Sequence, residues 1–184
     1  IDVILLSLLR PPEDVAYYSL PFKVLESLLF FPAAVGGMLL PVFSAASQTR
    51  VDGMAEPLRD AIEAFLLLAL PGIALLFFTA PWIVVVLGGE GYAASAVVLR
   101  ILSVVLGLLV FGNLFGNALI ALGEQRRMLA VYACLAVVNV AANLLLIPQF
   151  SFLGVAWAAF VTQLISVIAS GVLVVRAKTS LRWS

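Results

Sequence analysis

Apolar residues run along this chain in long blocks at about 1–9, 15–47, 61–87, 93–122, 128–147 and 152–175. A helix needs about 20 apolar residues to cross about 30 Å of hydrocarbon. Five blocks reach that length, and the first, 1–9, is short enough to read as a truncated sixth. Within the blocks the apolar runs are continuous, as at 73–78 and 82–87. A membrane barrel would alternate with period two over about 10 residues. The connectors carry turn chemistry: Arg10-Pro11-Pro12-Glu13-Asp14, residues 48–60, Gly88-Gly89-Glu90-Gly91, residues 123–127 and Pro148-Gln149. Most are very short, so successive helices are expected to lie antiparallel and adjacent. The pattern predicts an all-α integral membrane protein: one transmembrane domain over 1–184, a bundle of six transmembrane helices with the first truncated. The 15–47 block would be roughly 50 Å long if straight. It holds Pro21, Pro32 and Pro41, so it must tilt, kink or leave the bilayer. Pro71 and Pro81 interrupt the next block in the same way.

Composition closes off the alternatives. Hydrophobic residues make up 64% of the 184 and charged residues 11%, against about 25% charged in a typical globular domain. Too few polar side chains remain to cover a water-exposed surface, which excludes a soluble domain, a disordered chain and a nucleic-acid binder. With no histidine and one cysteine, Cys134, the chain has no His-based catalysis, no internal disulfide and no thiolate metal site. No loop carries a nucleophile–base pair or a phosphate-cradling motif, so an enzyme is not expected. Ile1 starts mid-pattern with no basic segment before it, which reads as a fragment cut inside a helix and not as a signal peptide.

The placement of charge says more than its zero sum. Counted by alternate loops, Arg50, Arg59, Arg126, Arg127, Arg176, Lys178 and Arg182 fall on one side, and Arg10 alone falls on the other. The positive-inside rule then puts the 48–60 loop, the 123–127 loop and the C-terminus in the cytoplasm. Tyr17, Tyr18, Trp82, Tyr92 and Trp157 fall near expected outer span ends, with Tyr132 and Trp183 near inner ends, as in an interfacial aromatic belt.

Four ionisable residues lie inside spans: Asp2, Lys23, Glu26 and Arg100. At 1.5 Å per residue they sit about 12–16 Å below the outer surface. A charge at such depth costs about 2.5–3.5 kcal/mol on insertion scales. Lys23 and Arg100 could snorkel, and Lys23 and Glu26, at i and i+3, could neutralise each other. Asp2 is too short for either escape. The sharper expectation is that these groups converge on a central cavity. A second, uncharged set comprises Asn113 with Asn117 and Asn139 with Asn143, each pair at i, i+4, together with Thr162 and Gln163. Such residues act as interhelical glue or line a cavity. Gly112 and Gly116 form a GxxxG pair that suits close packing within the bundle.

Several segments, taken in order, resemble the polysaccharide-transporter (oligosaccharidyl-lipid flippase) branch of the multidrug/oligosaccharidyl-lipid/polysaccharide exporter superfamily. Ile1-Asp2-Val3-Ile4-Leu5-Leu6 and then Val15-Ala16-Tyr17-Tyr18 look like the start of that family's second lobe, with Ala16 in place of the usual glycine. Pro41-Val42-Phe43-Ser44, Leu87-Gly88 through Gly91-Tyr92-Ala93-Ala94, Ala121-Leu122-Gly123 and Leu153-Gly154-Val155-Ala156-Trp157-Ala158 match later family segments. The resemblance implies the second six-helix lobe of a two-lobe, alternating-access flippase in the inner (plasma) membrane, with the N-terminal lobe absent from this sequence. Its cargo would be a polyprenyl-diphosphate-linked oligosaccharide, an O-antigen or exopolysaccharide repeat unit, moved to the outer leaflet. A polysaccharide polymerase and membrane lipid are the implied partners, no cofactor is implied, and coupling to protons or sodium is. Cavity positions that match the family by helix and depth are Asp2, Lys23 and Arg100; Glu26, Asn113, Asn117, Asn139 and Asn143 are cavity candidates from their own placement. The alternatives are a multidrug or cation antiporter of the same superfamily, a peptidoglycan lipid-precursor flippase, and a non-transporting membrane scaffold.

Overall fold

The computed structural model describes residues 1–49 and 51–181; the side chains of residues 35, 48–49, 51–52 and 178–181 fall outside that description. Of the basic and aromatic residues weighed for sidedness, Arg50, Arg182 and Trp183 lie outside the described residues, as does the side chain of Lys178. Among the described residues seven α-helices follow one another: α1 (Asp2–Leu9), α2 (Pro12–Leu28), α3 (Phe30–Thr49), α4 (Ala55–Gly88), α5 (Ser95–Ala121), α6 (Gln125–Phe150) and α7 (Phe152–Leu181). Short 3-10 turns precede α4 and α5, and the described residues contain no strand. With α2 and α3 taken as one interrupted crossing, five segments are long and apolar enough to span a membrane.

The 15–47 block, expected to tilt, kink or leave the bilayer, is two helices. It breaks at Leu29, whose N–H reaches back only three residues, to the Glu26 carbonyl at 3.2 Å. Pro32 supplies the reason: it has no N–H to offer the Leu28 carbonyl, and its ring crowds that carbonyl. Pro21, Pro41, Pro71 and Pro81 are instead absorbed inside helices. The α4 helix ends at Gly89, which takes φ 83° and so a backbone that favours glycine.

The bundle is organised around α5. This helix is buried along most of its length, at Val98, Leu99, Leu102, Val105, Val110, Leu114, Ala118 and Leu119 among others. α7 and α4 pack along it most extensively, followed by α3 and α2. Toward one end, Phe43, Met54, Leu58, Phe65, Leu114, Leu119 and Val174 form one apolar cluster. Toward the other, Leu6, Tyr18, Leu25, Val98, Leu102, Ile147 and Val155 form a second. The small residues of α5 allow close approach within the chain. Gly112 faces Gln163 of α7, and Gly116 faces Tyr132 and Met128 of α6.

Arg10, expected alone on its side of the membrane, is committed to a helix end. Its Nε and Nη2 donate to the Ile147 carbonyl at 3.2 and 3.1 Å, and Nη2 also donates to the Pro148 carbonyl. The last carbonyls of a helix have no intrahelical partner, and a cation at that end also suits the helix dipole. Four residues on, the Asp14 carboxylate accepts a hydrogen bond from the Ser151 hydroxyl, and the Tyr17 ring meets Tyr92 and Phe152 at 5.6 and 5.3 Å. The 10–17 segment thus clips the α6–α7 corner. Arg10→Ala is expected to cost about 1–2 kcal/mol, seen as a fall of several degrees in the melting temperature of the detergent-solubilised protein.

Candidate functional site

Four polar residues of the spans, Asp2, Asn139, Asn143 and Thr162, meet in one place. Asp2 lies in the first turn of α1, and its Oδ1 accepts a hydrogen bond from Asn143 Nδ2 of α6 at 3.0 Å. The same Nδ2 also approaches the Asn139 carbonyl at 3.0 Å and Asn139 Oδ1 at 3.2 Å. Asn139 Nδ2 in turn reaches Thr162 Oγ1 of α7 at 3.5 Å, and Thr162 donates to the Ala158 carbonyl. Three helices therefore supply one chain of polar contacts. The i, i+4 spacing of Asn139 and Asn143 puts both amides on the same face of α6.

This chain lines two adjoining cavities that share Leu109, Asn139, Thr162 and Gln163. One, of about 200 Å³, also holds Asp2, Tyr18 and the α2 residues Phe22, Leu25 and Leu29. The other, of about 390 Å³, also holds Gly112, Asn113, Tyr132 and Ser166. Counted from the α6–α7 corner, the chain of polar contacts begins about 10 Å along α6 at Asn143, and the cavity lining reaches about 27 Å along it at Tyr132. The polar side chains of this track are mainly neutral amides and hydroxyls, set among apolar neighbours.

One atom in it is unmet. Asn143 is fully buried, and its Oδ1 has no hydrogen-bond partner. Its Nδ2 has two hydrogens and approaches three acceptors, so the amide is held by its nitrogen with the oxygen left over. A buried acceptor without a donor is costly, and an ion or ordered water is a common resolution. Asp2, Asn139, Asn143 and Thr162 together offer only oxygen as ligand atoms, which suits a hard cation. Among the described residues no three His, Cys, Asp or Glu side chains come together.

The four ionisable span residues do not converge. Lys23 and Glu26 pair with each other at 2.8 Å on an exposed face of α2. Lys23 lines a separate hollow with Ala16, Ser19, Leu20, Leu87, Gly88 and Tyr92. Arg100 turns toward α4, its guanidinium 5.6 Å from the Phe77 ring centre. Equal depth on three helices did not specify equal facing, because depth fixes height and not rotation about the helix axis. Asn113 lines the larger cavity. Asn117 donates to the Asn113 carbonyl at 2.9 Å and to its Oδ1 at 2.7 Å.

Two aromatic residues expected in an interfacial belt line the cavities. Tyr18 is 1% exposed and lines the hollow beside Asp2, and Tyr132 lines the deeper one. Ser166 was passed over in the sequence, although its spacing from Thr162 and Gln163 puts it on the same face of α7. Trp82 and Trp157 are exposed on the outside of the bundle, 77% and 46%.

Among the described residues the fold is an all-helical bundle of lipid-length helices with polar side chains between them, the architecture of a multi-pass membrane protein. The MatE family model matches residues 1–145. The chain belongs to the MatE family, and through it to the multidrug/oligosaccharidyl-lipid/polysaccharide exporter superfamily, whose members are membrane exporters and not enzymes. No curated protein and no solved structure matches the chain.

Proposed function

We propose that this chain forms the second lobe of a flippase that carries a polyprenyl-diphosphate-linked oligosaccharide to the outer leaflet of the plasma membrane, with its C-terminus cytoplasmic and transport coupled to a cation. The observation that carries the coupling is the Asp2 carboxylate, which lines a cavity of the helical bundle and holds Nδ2 of Asn143, an amide whose oxygen has no donor. Ion binding there would neutralise Asp2, satisfy the orphan oxygen and draw α1, α6 and α7 together. A site that binds a cation in one conformation more tightly than in another can drive alternating access. The choice of cargo rests on the motif resemblance and on the chemistry of the lining. Amides and hydroxyls from Asn113, Gln163, Thr162, Ser166 and Tyr132 match the donors and acceptors of sugar hydroxyls.

In this reading Lys23 and Arg100 meet the diphosphate from the rim of the bundle, as charge-assisted donors. Lys23→Ala and Arg100→Ala are each expected to lower flipping of a polyprenyl-diphosphate oligosaccharide about tenfold in liposomes holding the complete protein. Full flipping by both variants would remove these residues as cargo contacts. Drug efflux from the same liposomes without flipping would assign the multidrug reading instead.

A further inference from the structure

The α2–α3 joint has structure on both sides that the transport reading does not use. At Leu29 the helix bonds thin out: the Leu29 N–H closes on Glu26, and the Ala33 N–H reaches the Leu29 carbonyl only at 3.4 Å. Beside the joint lies an apolar cavity of about 240 Å³, between Leu28, Phe31 and Pro32 on one side and Ala69, Gly72 and Leu76 of α4 on the other. A smaller void of about 70 Å³ continues it between α3 and α4 at Phe31, Leu39, Ala61 and Phe65. α3 is therefore underpacked against α4, and its main support is α5.

That support includes an uncommon surface. Gly36 of α3 rests directly on the Asn113–Asn117 pair; a Cβ there would lie 2.5 Å from Asn113 Oδ1 and 2.8 Å from Asn117 Nδ2. The two amides are bonded to each other and not to α3. At Gly36 the contact with this self-satisfied amide pair can open without orphaning a hydrogen bond, whereas further along α3 Phe43 is buried in the apolar cluster and must leave it. Asn113 also lines the larger polar cavity, so it is a wall shared between α3 and the site.

We propose that α3 is a swinging segment. It hinges at Leu29–Pro32, closes into the hollow against α4, and in doing so leaves Asn113 and Asn117 and bares the α3-facing side of α5, whose Asn113 also lines the larger polar cavity. The structure holds the docked position. The inference rests on the polar cavity being the transport site only for its consequence; the motion itself is independent of cargo and of ion.

The test uses the complete protein in liposomes, with spin labels at the exposed positions Met38 on α3 and Leu67 on α4 and pulsed electron–electron distance measurement. Two distance populations are expected. Ala69→Leu, alone or with Gly72→Leu, puts side chains into the void and should shift the ratio at least about fivefold toward the long distance. A Cβ at Gly72 meets nothing within 4 Å, so the leucine leaves the backbone without overlap. Gly36→Ala should shift the ratio comparably toward the short distance by crowding the amide pair. Gly37→Ala, where a Cβ also meets nothing within 4 Å, should leave it unchanged. A single narrow distribution, the same in all variants, would overturn the proposal. So would a Gly36→Ala ratio equal to that of Gly37→Ala. Both readouts are distances, so a failed hinge is distinguishable from a failed transport assignment.

Discussion

Asp2→Asn is expected to abolish cation-coupled transport while leaving the bundle intact. Asparagine has almost the shape of aspartate and keeps an acceptor for Asn143 Nδ2, which now donates to Asp2 at 3.0 Å. The change removes one thing, the negative charge, and Asp2 supplies the one carboxylate in the lining of the two polar cavities. Neutral amide and hydroxyl oxygens would remain, too weak together to strip water from a small cation. Losing a charged partner at a partly desolvated site is worth about 1.5–3 kcal/mol, a 10- to 100-fold fall in cation affinity. The measurement is sodium- or pH-driven transport in liposomes, alongside binding of sodium to the purified protein. Asn143→Leu should act in the same direction by deleting the orphan oxygen, with a smaller effect because Asp2 remains. Wild-type ion dependence in Asp2→Asn would mean that coupling resides elsewhere.

Gly154→Val is expected to prevent folding. Gly154 is buried at the start of α7, its N–H bonded to the Ser151 carbonyl at 2.9 Å. A Cβ at this position would overlap the carbonyl group of Leu146 and approach the Ile147 nitrogen at 3.0 Å. These atoms are backbone, at the end of α6, and cannot rotate away as a side-chain tip would. The α6–α7 corner is already tight: Ser151 takes φ 51°, and Arg10 and Asp14 hold it from outside. Moving it would disturb Ile147 and Val155, both fully buried. Overpacking typically costs about 1–3 kcal/mol; a branched side chain against fixed backbone belongs at or above the top of that range. Monodisperse protein recovered after detergent extraction should drop to background. Gly91→Ala, at a site where a Cβ meets nothing within 4 Å, should give wild-type recovery and separates steric overlap from loss of glycine as such.

Legibility differed by kind of feature. The helical class was open to reading because lipid demands long apolar runs with internally satisfied backbone, and no other element meets that demand with this sequence. The Asn139–Asn143 face was open too, since a four-residue spacing fixes two side chains on one side of one helix whatever surrounds it. The break at Pro32 was only half legible. Five prolines lie inside the 15–47 and 61–87 blocks, and only Pro32 splits a helix; which proline breaks depends on what packs around it. Lys23 and Arg100 show the same boundary from the other side. Their depth followed from counting residues, while their facing depended on how α2 and α5 are rotated against neighbours. Tyr18 read as a belt residue because a tyrosine near a span end has two uses, and only the neighbouring helices choose between them.

By itself, the sequence determined that this protein lives in lipid, crosses it as helices with short turns, and carries a few polar groups at known heights. Those properties are local: they follow from hydropathy, length and rise per residue. Tertiary structure alone decided which of those groups share a cavity, that Arg10 closes a helix end, and that Asn143 holds an oxygen without a donor. These depend on the azimuth of each helix about its own axis, which is set by packing against partners distant in the chain.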